Sequence, residues 1–168
     1  MSDNLESILY KVASVTLEQL AFLFSSFEDI QCKPDYDTVV VASVSFSGQF
    51  SGTLSIMIVD DILDELTENM LGIDGADEVP IDQKHDALKE TINIVCGNLL
   101  PAIGGKRSLF SIGSPIIILD NEAKKKAVNN ENTQKRWTVA RLSIDDNSCG
   151  FFLLIDEDAK LEPELSDF

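Results

Sequence analysis

The sequence predicts an α+β fold built as two pseudo-symmetric α-β-β-β halves. Long stretches with apolar residues at helical spacing alternate with short β-branched runs. A glycine, an apolar strand and an acid, Gly52-Thr-Leu-Ser-Ile-Met-Ile-Val-Asp60, return as Gly150-Phe-Phe-Leu-Leu-Ile-Asp156. Glu6-Ser7-Ile8-Leu9 likewise parallels Glu90-Thr91-Ile92-Asn93. The copies lie roughly 90 residues apart, longer than the period of solenoid repeats. Two apolar strands can also resemble each other by chance. If the repeat is real, Leu9 stands where the second copy has Asn93, and only the second half keeps chemistry there.

Composition bounds the function. A chain of 168 residues, 44% hydrophobic, suits one domain with a sizeable core. No apolar run approaches the ~20 residues of a membrane span. Met1 to Glu6 lacks a basic region, so no signal peptide is expected. Cys32, Cys96 and Cys149 form no CxxC and read as reduced thiols of a cytoplasmic protein. A net charge of −16 repels phosphate backbones and anionic membranes, so neither nucleic acid nor membrane is an expected partner. His85 is the single histidine, which removes most metal-hydrolase and Ser-His-Asp readings.

Taken in order, Leu5, Ile8, Leu9, Val12, Val15, Leu20 and Phe24 predict a helix over 5–24, with Ser2 or Asn4 as its cap. Pro34-Asp35 marks a turn. Thr38 to Phe46 and Gly52 to Val59 read as a hairpin joined by Ser47-Gly48-Gln49. Asp60-Asp61 caps a helix over 62–71, which Gly72 and Gly75 end. After an acidic loop comes the helix of Asp86 to Gly97. Pro101 predicts a kink or end near Leu100, and Gly104-Gly105 closes the segment. Strands are expected at 114–119, 137–144 and 150–155. Asn121 to Arg136 reads as a polar loop whose Lys124-Lys125-Lys126 is a partner contact or a solvated hairpin tip. Glu157 to Phe168 is an acidic tail with little to bury, expected to fray.

The helix of Asp86 to Gly97 carries the candidate chemistry. At 100° per residue, Asp86, Glu90, Asn93 and Gly97 fall within about 60° of one another. Leu88, Ile92, Val95 and Leu99 occupy the far side. A buried helix thus presents one narrow polar strip. A solvated helix face with a packing glycine would show the same residues. A metal site on the Asp86–Glu90 pair would need more oxygen ligands, and His85 points about 100° away. Cys96 lies on the apolar side and reads as a buried thiol, not a nucleophile.

Asp86-x-x-x-Glu90-x-x-Asn93, with Gly97 and then Pro115, resembles the Asp/Ser-x-x-x-Glu-x-x-Asn…Pro signature of the CheC/CheX/FliY chemotaxis phosphatases. Gly48-Gln49-Phe50-Ser51-Gly52-Thr53-Leu54 is similar to the hairpin of CheX proteins, and Met70-Leu71-Gly72 sits where that family ends its second helix. The resemblance spans about residues 5–156, a single CheX-like domain followed by the tail 157–168. One Glu-x-x-Asn site rather than two makes CheX the nearer relative. Pro101 and the long polar loop depart from the family's pattern.

This resemblance implies an antiparallel or mixed sheet with long helices packed on it, the site helix lying exposed. It implies hydrolysis of the aspartyl phosphate on a phosphorylated CheY-type response regulator, with Asn93 and Glu90 as catalytic residues. Asp86 and Gly97 then contact the partner, Asp86 by orienting the group that Glu90 meets, unless it is simply the motif's capping acid. No cofactor or metal of its own is expected; Mg²⁺ belongs to the regulator. A homodimer formed by strand pairing is the expected assembly. A non-catalytic module that binds a regulator or a flagellar switch component through the same strip is the alternative.

Overall fold

The computed structural model describes residues 2–28, 33–75, 78–131 and 134–163. Helix α1 (Ser2–Ala21) is followed by β1 (Ser26–Phe27), the hairpin β2 (Val39–Gly48) and β3 (Gly52–Val59), and α2 (Asp60–Leu71). Helix α3 (Ile81–Gly104) leads to β4 (Phe110–Ile112), β5 (Ile116–Ile118), α4 (Asn121–Val128) and the hairpin β6 (Lys135–Ile144) and β7 (Asn147–Asp156). Among the described residues these strands form one antiparallel sheet ordered β1-β6-β7-β3-β2-β4, with β5 also on β2.

The repeat is present, and its halves interlock. The two glycine-led strands lie side by side at the centre, Gly52 opposite Ile155 and Gly150 opposite Met57. Each half then gives its outer strand to the other: β1 pairs with β6, while β4 and β5 pair with β2. The helices cross as well, α1 packing on β6 and α3 on β2. Alternate residues of the central strands (Leu54, Ile56, Ile58 and Phe151, Leu153, Ile155) bury against the helices. The opposite face holds a second cluster of Val39, Val41, Met57 and Phe152 under α4.

Several expectations need correction. Helix α1 stops at Ala21, and Phe24 is exposed beyond it, while Leu17 is fully buried. Asp60 and Asp61 lie inside the first turn of α2, after Val59, and make no side-chain cap. Helix α3 runs through Pro101 to Gly104. Pro101 lies on the exposed side of the last turn, where the Gly97 carbonyl it leaves without an amide partner sits on the open face. β4 was not foreseen, and of 114–119 only Ile116–Ile118 is strand.

The largest correction is 121–136. This segment opens with α4, capped by Asp120, whose carboxylate accepts from the Ala123 amide at 2.9 Å. Lys124 is no solvated tip residue: it is buried, and its ammonium donates to the carbonyls of Tyr36 (2.8 Å) and Val39 (3.0 Å). The tail is likewise tied down over 157–163. Ala159 is buried, Arg136 donates to the carbonyls of Glu157 and Ala159, and the Glu162 amide donates to Ile103 at 2.8 Å. Cys32 and residues 164–168 lie outside the described residues.

Candidate functional site

Burial fixes the rotation of α3. Leu88, Thr91, Ile92, Val95, Cys96, Leu99 and Leu100 are buried, so Asp86, Glu90, Asn93 and Gly97 face outward, all exposed. The expected strip is therefore one surface, and the helix beneath it is held from both sides. Asn98 donates to the Thr16 hydroxyl of α1 at 3.1 Å, and Lys84 pairs with Asp64 of α2 at 2.7 Å. Thr91, directly under the strip, donates to the Ala87 carbonyl at 2.8 Å and contacts the Met70 sulfur at 3.4 Å.

The strip itself is unoccupied by the protein. Among the described residues, neither the Glu90 nor the Asn93 side chain has a hydrogen-bond or ion-pair partner. Asp86, 70% exposed, meets Lys89 at 3.2 Å, a solvated pair on the same helix. Gly97 is not a packing glycine: a Cβ built there would have no neighbour within 4 Å. A glycine in an exposed helix interior costs about 1 kcal/mol against alanine, and here no close packing offsets it. What it leaves is bare backbone beside a carboxamide and a carboxylate. Pro115 lies between β4 and β5, on the strands that flank β2.

Cys96 and Cys149 are buried free thiols, and burial pushes both up to about 12, far from a reactive thiolate. No cluster of three metal-ligating side chains occurs among the described residues. Among the described residues no helix is long and apolar enough to cross a membrane.

One feature escaped the sequence. Beside Asp86 and Glu90 lies a groove of about 310 Å³ where the ends of α1 and α2 meet the start of α3. Leu20, Met70 and Leu71 form its apolar wall. The only signal was Met70-Leu71-Gly72, which marks a helix end and says nothing of what lies across from it.

The family model for the chemotaxis phosphatase CheX matches residues 40–135. None of the curated proteins matches this sequence. Among solved structures, CheX from a CheX-CheY-BeF3-Mg complex of Borrelia burgdorferi is similar in fold, with 18% identity and a TM-score of 0.70 over 90% of this chain and 97% of that one. CheX of Desulfovibrio desulfuricans gives 15% identity and 0.67 over 90% and 99%. FliY of Thermotoga maritima gives 16% and 0.60 over 94% and 90%. At these identities the likeness is one of fold.

Proposed function

This chain belongs to the CheX family of chemotaxis phosphatases, and on that premise we propose that it hydrolyses the aspartyl phosphate of a phosphorylated CheY-type response regulator in the cytoplasm. The observation that carries the proposal is the bare strip: the Glu90 and Asn93 side chains project, without partners among the described residues, from a helix clamped at Asn98 and Lys84. The Borrelia burgdorferi relative was crystallised with CheY, BeF3 and Mg, which agrees with a regulator as partner.

The chemistry asks little of the phosphatase. The regulator brings its own Mg²⁺ to neutralise charge on the phosphoryl group, so the missing element is a water held in line. The Asn93 carboxamide accepts from that water through its oxygen and donates through its NH₂ to a neighbouring oxygen. The water oxygen bonds to phosphorus as the phosphorus–oxygen bond to the aspartate breaks. Free carboxylate and inorganic phosphate result, the water's proton passing to phosphate or solvent. Glu90, one turn back, pairs with a lysine of the regulator and fixes the register of docking. Gly97 lets the regulator's backbone approach.

Decay of a phosphorylated CheY-type receiver, with and without this protein, is the direct test. Faster decay that depends on Asn93 supports the reading; tight binding with unchanged decay replaces it with the non-catalytic module. We further propose the homodimer at the open edge of β4 and β5, which Leu109 (84% exposed) and Leu119 (75%) flank. Sedimentation that gives only a monomer refutes that assembly.

A further inference from the structure

The groove beside the strip has a mixed lining that selects its occupant. Leu20, Met70 and Leu71 form one side, while Gln83, Asp86 and Glu90 rim the other. Leu71 is 48% exposed at the last position of α2. Met70 is turned toward α3, where its sulfur meets the Thr91 hydroxyl. Just beyond Leu20, Phe22 is 70% exposed and held at φ 52. A bulky side chain is strained in that conformation. The Asn69 amide, donating to the Ala21 carbonyl at 2.7 Å, locks these two helix ends together. An apolar trough with carboxylates at its lip matches a side chain with a long aliphatic stem and a cationic head. Apolar contact along the stem and a charge-assisted hydrogen bond at the head are then made together.

We propose that this groove takes a second basic side chain of the regulator, a lysine or arginine distinct from the lysine assigned to Glu90. Its stem lies along Leu20, Met70 and Leu71, and its head sits against Asp86. Lys89, paired with Asp86 at 3.2 Å, is a solvated i,i+3 neighbour that gives way at little cost. The inference rests on the phosphatase reading for the identity of the partner but not for the groove's contribution to binding. A basic side chain seated in a packed trough and paired with a carboxylate is an anchor of the kind on which interface energy concentrates. The groove therefore sets affinity and choice of regulator, while Asn93 sets the rate.

The test combines kinetics with coupling. With the phosphorylated receiver as substrate, Leu71→Ala should raise KM about five- to tenfold and leave kcat unchanged. Asp86→Lys should raise KM more, and a receiver carrying one Lys→Glu or Arg→Glu change should restore it. Thermal melts of both variants verify the fold, and neither exposed position should shift the midpoint appreciably. The same pairings are measured as binding of the beryllofluoride-loaded receiver, so the groove is judged even if phosphate decay is not accelerated. An unchanged KM and Kd for Leu71→Ala overturns the groove and leaves the phosphatase reading standing. The same holds if the receiver residue that couples to Asp86 is the one that couples to Glu90. Binding without accelerated decay, but with the expected couplings, overturns the phosphatase reading alone.

Discussion

Helices α1 and α3 are the same element used twice, and they differ on one side only. Leu5, Ile8, Leu9, Val12, Ala13, Thr16 and Leu17 of α1 bury in the order that Leu88, Thr91, Ile92, Val95, Cys96, Leu99 and Leu100 bury in α3. This register moves the repeat by one residue from the sequence alignment. Leu9 answers to Ile92, and Asn93 is matched by Tyr10. The outward faces then part company. In α1, Tyr10 packs edge-on against Phe27 at 5.7 Å, and Ser14 shares a 3.3 Å hydrogen bond with Ser25, so the segment of β1 covers the strip. In α3 the same positions are Asn93 and Gly97, and among the described residues no strand covers them. The core dictates one face of each helix and is indifferent to the other. A site can therefore be lost or kept without disturbing the fold.

The strongest way to break that comparison is to exchange what the two positions do. Asn93→Ala should cut phosphatase activity more than tenfold, because water positioning is lost. Removing one exposed amide should change stability by no more than about 0.5 kcal/mol. Tyr10→Ala should do the opposite, lowering stability by about 1–2 kcal/mol through lost packing and ring contact while activity holds. Urea unfolding and phosphoreceiver decay, run on both variants, decide the matter. If Tyr10→Ala slows turnover as much as Asn93→Ala, the two strips are not functionally distinct.

A smaller effect sharpens the contrast at the next position. Gly97→Ala meets no neighbour within 4 Å and should stabilise α3 by up to about 1 kcal/mol. It should also weaken receiver binding severalfold, since a methyl group then stands where the partner approaches. Ser14→Ala in α1 loses its bond to Ser25 and should be neutral or slightly destabilising, with binding unchanged. Calorimetry and titration of the receiver give both signs. Unaltered binding by Gly97→Ala would leave the glycine without a function.

Most of this arrangement was readable from residue order. The strip needed only the 3.6-residue period, and the hairpin β2–β3 only its alternation and its glycines. What could not be read depended on distant partners. α4 is too short and too polar to announce itself, and it exists because Lys124 finds two carbonyls of the Tyr36–Val39 segment. The tail reads as solvated until Ile103 offers a carbonyl to the Glu162 amide. Glu6 and Glu90 look alike and set the sequence alignment of the repeat one residue off, whereas only the buried face carries the register. Pro101 was read by its local effect, but the last turn on an exposed face tolerates the missing donor.

The hairpin ends also differ between the halves, and pH separates them. At the β2–β3 end, the Asp156 carboxylate accepts from the Ser51 amide at 2.8 Å and lies 3.7 Å from Lys135. At the β6–β7 end, Asp145 and Asp146 turn the chain with φ of 49 and 63, and Asp145 hydrogen-bonds Glu65 of α2. Burial first, then Asp145 and Glu68, hold the Glu65 carboxyl above the usual 4.5. The folded protein thus binds this proton more tightly than the unfolded chain. Its contribution to stability is complete below pH 4.5 and disappears as pH rises through the raised value. Glu65→Gln keeps a hydrogen-bond donor toward Asp145 without a negative charge. It should therefore raise the melting temperature slightly at pH 7, within the ~0–1 kcal/mol of a solvated pair. The gain should shrink toward nothing as the buffer is taken down to pH 4. Melting curves at pH 4, 5, 6 and 7 check the trend; a gain that grows on acidification would mean that Glu65 is held as a carboxylate, and the contrast between the two hairpin ends would fail.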